Sequence, residues 1–130
     1  MNSHVGIQVI RLDDGTGVEI LAEGEVRGAD IIAAHAEIYD QRYLARQRYQ
    51  IVDKTRCTEY DVSASDVERI AQLDREASEI NPLIKIAVIE SHSLQFSLTE
   101  LWQAHLASCP FVTRSFNDRD TALAWLAQNT

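Results

Sequence analysis

The stretch LIKIAVIE at residues 83–90 constrains this chain more than any other. Six of its eight residues are apolar, without the alternation with polar residues that a strand with one face in water would show. A short, nearly continuous apolar run rich in β-branched residues is the pattern of a strand covered on both faces. Such coverage is supplied by helices packed on each side of a largely parallel sheet. The rest of the chain is therefore read as the source of neighbouring strands and covering helices.

Those elements can be placed in order. Residues 5–12 (VGIQVIRL) and 18–26 (VEILAEGEV) flank the turn-rich DDGTG at 13–17, which predicts a hairpin. In the second of them Val18, Ile20, Ala22 and Val26 alternate with Glu19, Glu23 and Glu25, so one face is buried and the other wet. Residues 29–45 read as one helix with Asp30 as its cap. A short strand follows at 49–53. The clearest helix spans 65–80, where Ser65 and Glu68 match a capping box. Val67, Ile70, Ala71, Ala77 and Ile80 form its apolar face, opposite Glu68, Arg75, Glu76 and Glu79.

After the central strand, residues 94–107 carry Leu94, Leu98, Leu101, Trp102 and Leu106 at helical spacing, and 111–116 reads as the last strand. Pro82 and Pro110 each stand before a strand, because proline disfavours helix in the residue preceding it. Asn117 or Asp118 then caps a terminal helix with an acidic first turn, and Ala122, Leu123, Trp125 and Leu126 give it a docking face. The order is β-β-α-β-α-β-α-β-α. It predicts a single α/β domain over 1–130, a mainly parallel five-stranded sheet with covering helices and one antiparallel strand from the opening hairpin.

Composition narrows the function classes. The chain has 130 residues and a net charge of −8, which disfavours nucleic acid and anionic membranes as partners. No apolar run approaches the ~20 residues that span a bilayer. Cys57 and Cys109 have no metal or redox spacing, and the start of the chain lacks a secretory pattern, so a reducing cytoplasm is expected. His4, His35, His92 and His105 form no ligand spacing, and no metal or cofactor is expected.

The segments IVDKTRCTEYDVSASDVERI (51–70), IKIAVIESHSLQFSLTELW (84–102) and SFNDRDTALAWL (115–126) carry a family resemblance. With the element order, they make the chain resemble the SpoIIAA-like fold of STAS and SEC14-like domains, and in particular small uncharacterised bacterial SpoIIAA-like proteins. In anti-anti-sigma members a serine at the start of the second helix is phosphorylated by a partner kinase. The resemblance implies Asp61 with Ser63 or Ser65 as the corresponding phosphorylation or partner-switch residues, although the glycine of that motif is missing here. The SEC14-like side of the group implies a lipid or small apolar ligand.

Other candidates come from the residues themselves. ESHS at 90–93 follows the central strand, where ligands sit in parallel α/β sheets. His92 between Ser91 and Ser93 lacks the G-x-S-x-G elbow and an acid partner that nucleophilic catalysis requires, and Ser93 reads as a helix cap. Asp53 and Lys54 could orient a ligand at the end of the short strand, with Phe96 and Trp102 lining a cavity beside the helix at 94–107. Arg42, Arg46, Arg48, Lys54 and Arg56, interleaved with Tyr39, Tyr43 and Tyr49, form a basic cluster suited to a protein interface or a solvated helix end. The leading expectation is a non-enzymatic module that binds a protein partner or itself in bacterial regulation. The alternative is a module that binds a small apolar ligand or lipid in that cavity.

Overall fold

A computed structural model describes residues 6–91 and 93–128, the side chains of Ser93 and Leu94 excepted. Five strands run β1 (Gly6–Leu12), β2 (Gly17–Arg27), β3 (Tyr49–Asp61), β4 (Lys85–Ile89) and β5 (Val112–Phe116). Five helices join them: α1 (Gly28–Ile38), α2 (Gln41–Leu44), α3 (Ala64–Ile80), α4 (Ser93–His105) and α5 (Arg119–Leu126). The sheet order is β1-β2-β3-β4-β5, with β1 antiparallel to β2 and the remaining pairs parallel. The mainly parallel five-stranded sheet expected from the sequence is the one observed.

That order determines which face each helix covers. From β2 to β5 every crossover steps one strand in the same direction, and right-handed crossovers then place all their helices on one side. Accordingly α1 and α3 pack together, as do α3 and α4. The other face is left to α5, which packs on β4 and β5. The central strand records both layers. Ile86 and Val88 join Ala77 and Phe111 on the three-helix side, whereas Ala87 and Ile89 join Phe116, Ala122 and Trp125 beneath α5. Every residue from Ile86 to Ile89 is buried, as the apolar run requires.

Three sequence expectations are corrected. The single helix at 29–45 is two. The chain leaves helical geometry after Ile38, and Asp40 restarts it by accepting the backbone N–H of Arg42 at 2.9 Å. Asp30 is not the cap of α1. It lies three residues past the cap, and its carboxylate accepts the Arg27 backbone N–H at 2.9 Å. The carbonyls left open at the end of α1 are taken by side chains: Arg11 bonds Glu37 O and Ile38 O, and Gln47 Nε2 donates to Ile38 O at 3.0 Å.

The second correction concerns β3, which continues eight residues beyond Asp53 to Asp61 alongside β2. Leu21 pairs with Asp53 but Glu23 with Arg56, and Gly24 pairs with Cys57 but Glu25 with Glu59, so β3 carries an extra residue at two bulges. A bulge re-aims the side chains around it. Here it leaves Lys54 beneath the helices while both Thr55 and Arg56 border a groove on the α5 side. Third, α3 begins one residue earlier and is capped by Ser63, not Ser65. Ser63 Oγ accepts the Asp66 N–H at 3.1 Å, and Asp66 Oδ2 accepts the Ser63 N–H at 3.0 Å. Gly28 must lack a side chain because a Cβ there would strike this Asp66 carboxylate. Ile80, expected on the apolar face, is 68% exposed.

Candidate functional site

Beneath α1, α3 and α4 the sheet leaves a cavity of about 80 Å³. Its walls are mostly aliphatic. Ile20 and Ala22 come from β2, Val52 from β3, Val88 from β4, Ile38 from α1 and Ile70 from α3. Its deep end is buried, while Ile7, Ile31, Tyr60 and Leu98 are half-buried and mark where it approaches solvent. Two polar assemblies interrupt this lining.

The first centres on Asp74, which is 2% exposed. Its carboxylate accepts Tyr39 Oη at 2.7 Å, Trp102 Nε1 at 2.8 Å and His35 Nε2 at 3.2 Å. One side chain on α3 thereby ties the segment of α1 to α4. Tyr39 Oη in turn accepts Gln50 Nε2 at 3.0 Å, and the same amide donates to Gln47 Oε1 at 2.9 Å. Breaking the helix after Ile38 is what lets Tyr39 reach Asp74. Burial, then the Asp74 charge, push the Tyr39 phenol well above its ordinary value, so it stays a donor.

His35 faces only acceptors. Nδ1 lies 2.8 Å from Ile31 O and Nε2 faces Asp74, so the doubly protonated ring satisfies both. Burial alone would lower its pKa, but the Asp74 charge and hydrogen bond and the Ile31 carbonyl raise it above the ordinary histidine value. A raised folded-state pKa stabilises fully below the unfolded value near 6.5 and loses that contribution as pH rises through the folded value. Urea denaturation across pH 5.5–9 should thus show the wild type losing stability toward high pH relative to His35→Gln, which does not titrate. A constant difference between the two would mean that folding does not shift the His35 pKa, and a wild type that loses stability toward low pH would mean that His35 is held neutral.

The second assembly joins the middle of β3 and the residue after β4 to α4. Lys54 Nζ is 3.2 Å from Thr99 Oγ1 and 3.5 Å from Glu90 Oε1, and it stands 4.8 Å from the centre of the Tyr60 ring. Thr99 Oγ1 donates to Glu90 Oε1 at 2.7 Å, and Ser115 Oγ donates to Glu90 Oε2 at 3.3 Å. Glu90 is fully buried, Thr99 is 2% exposed and Lys54 8%. Glu90 follows the carboxyl end of β4, the end at which parallel sheets bind ligands, and Lys54 stands beside it where β3 outruns its pairing with β4.

The expected site residues separate into distinct places. Lys54 and Trp102 line the cavity, beside the helix from which it was anticipated, but Phe96 does not. His92 lies outside the described residues, as does the side chain of Ser93, from which α4 starts. Asp53 faces the opposite side of the sheet. It accepts Thr55 N at 2.9 Å and Thr55 Oγ1 at 2.6 Å, and Arg119 approaches at 3.5 Å while also pairing with Glu19 at 2.7 Å. Asp61 ends β3, and Ser63 and Ser65 are exposed at the start of α3 with their hydroxyls 3.1 Å apart.

The basic cluster is not one surface. Lys54 is buried in the cavity wall and Tyr39 is half-buried in the Asp74 network, whereas Arg11, Arg42 and Arg46 gather around the Tyr43 ring. The sequence reading missed Asp74, His35, Glu90 and Thr99 as members of the site. A signal existed for two of them: Asp74 continues the spacing of Val67, Ile70 and Ala77, and Glu90 continues the alternation of Ile86 and Val88.

Among the described residues, no helix is long and apolar enough to cross a membrane and no metal-type cluster occurs. No protein-family model and no curated protein matches the chain. A solved structure is similar to it, an uncharacterised protein of the DUF3478 family with a SpoIIAA-like fold from Shewanella loihica. The two share 19% identity with a TM-score of 0.62, over 98% of this chain and 99% of that one. The fold is SpoIIAA-like.

Proposed function

We propose that this SpoIIAA-like domain is a non-enzymatic binding module that takes a small apolar ligand beneath α1, α3 and α4. The observation that carries the reading is the cavity: about 80 Å³, aliphatic on most sides, with half-buried residues at one end. Drug-sized ligands occupy roughly 300–1,000 Å³, and an engineered cavity of about 150 Å³ holds benzene. The enclosed space therefore takes about three to five non-hydrogen atoms. The ligand is either of that size or leaves its remainder at the mouth by Ile31, Tyr60 and Leu98.

The test is to extract freshly purified protein and identify small molecules by gas chromatography and mass spectrometry. A stoichiometric apolar compound is expected from the wild type. Ala22→Leu, which extends a buried cavity-wall side chain into the space, should lose the compound while keeping or raising its melting temperature. Identical extracts from both proteins, or none from either, would reject the reading.

Association with a partner or with a second copy is the other reading, and one observation favours it. Ile80, Leu83 and Val112 are 68%, 62% and 54% exposed. They stand at the end of α3, before β4 and at the start of the edge strand β5, where Val112 N bonds Ile84 O. Exposed apolar residues gathered in one region mark interaction surfaces. Sedimentation at tens of micromolar should give a dimer that Leu83→Glu converts to monomer; a monomer at every concentration would dismiss self-association.

A further inference from the structure

We infer that the cavity selects an uncharged ligand carrying one hydrogen-bond acceptor, such as a small ketone or ester, and that Lys54 is the group that recognises it. The inference rests on the proposed binding function and specifies its ligand. Lys54 lines the cavity, and its ammonium has three N–H groups against two oxygen partners among the described residues, Thr99 and Glu90. Its other neighbour is the Tyr60 ring face at 4.8 Å, a weaker partner than an oxygen acceptor. A purely hydrocarbon occupant would fill the space but offer that ammonium nothing. An oxygen acceptor would complete it, and hydrogen bonds to charged groups are among the stronger ones a site can make.

Charge decides which acceptors fit. The cavity holds two cationic groups, Lys54 and protonated His35, and each already has its own buried carboxylate, Glu90 or Asp74. A carboxylate ligand would bring a second anion to an ammonium whose present counter-charge is 3.5 Å away and fully buried. Like charges sharing such a place disfavour ionisation of one of them, and the incoming anion also loses its water. An ammonium ligand would meet Lys54 instead. A neutral carbonyl incurs neither cost. Such sites, built around a hydrogen bond, reject analogues that cannot make it.

The test uses the whole protein and four probes: butanone, propanoate, butylamine, and xenon, which reports apolar space alone. Amide chemical shifts are followed by NMR. Butanone should bind about tenfold or more tighter than propanoate and butylamine, with shifts at the cavity-wall residues Ile20, Val88 and Thr99. The double variant Lys54→Met with Glu90→Gln removes the ammonium without stranding a buried carboxylate. It should lose about tenfold of the butanone affinity and keep the xenon shifts. Equal or tighter binding of propanoate, or undiminished butanone binding by the double variant, overturns the inference. The ranking in the wild type decides the matter even if the double variant fails to fold. Xenon shifts without a butanone preference reject this inference alone; no shifts with any probe reject the binding function as well.

Discussion

Asp74→Ala should destabilise the protein by about 3–5 kcal/mol, the range for removing one partner of a buried charge pair. Three donors lose their acceptor at once: the His35 ring, the Tyr39 hydroxyl and the Trp102 indole N–H. All of them lie in the layer between the helices and the sheet, where water cannot replace the carboxylate cheaply. Asp74→Asn should fall between alanine and wild type, because it retains an oxygen but turns N–H groups toward these donors. Urea denaturation gives the free energies, and near-ultraviolet circular dichroism reports Trp102 directly. A loss below about 1 kcal/mol for alanine would mean that helix packing, and not this carboxylate, holds the three helices.

Trp125→Ala should cost a similar amount, about 3–5 kcal/mol, through a different mechanism. On this face α5 is the covering helix, and Trp125 is its largest buried side chain, packed on Phe116 with ring centres 5.5 Å apart. The Lys85 ammonium sits over the indole at 4.5 Å and donates to Trp125 O at 3.0 Å, so the β4 end is tied to the helix as well. Truncation opens a void over Ile51, Ala87 and Ile89 and should increase binding of an apolar dye while lowering the denaturation midpoint. Leu123→Ala, on the same helix but 42% exposed, should be close to neutral. Equal effects from the two substitutions would show that α5 is not docked through Trp125.

The contrast between these two residues also separates what could be read from the chain from what could not. Trp125 and the run at 83–90 were legible because burial of apolar residues follows local spacing: period two in a strand, three to four in a helix. Turn, capping and alternation patterns likewise placed the opening hairpin, a cap at Asn117 or Asp118, of which the structure uses Asp118, and the alternation of strands and helices that makes the sheet mainly parallel. They failed at β3, where KTRCTEYD looks like loop. Its extension is held by pairing with β2 and by two bulges, and backbone pairing leaves little trace in side-chain type. They also failed at the α3 cap, since both SASD and SDVE fit a capping pattern. The end of β3 decided between them.

The site was the least legible part for a related reason. A charged residue is solvated by default, so Asp74 and Glu90 were passed over, and Lys54, named beside Asp53 as a ligand candidate, was also counted in a basic surface cluster. Each is buried only because its partner arrives from elsewhere in the fold: Asp74 meets His35 across 39 residues, and Lys54 meets Thr99 across 45. The amino-acid sequence by itself determined the layers, because transfer of apolar surface from water is a sum over local pattern. Only the tertiary structure decided the cavity and its charge pairs, because the cost of a buried charge depends on which opposite charge the chain brings within a few ångströms.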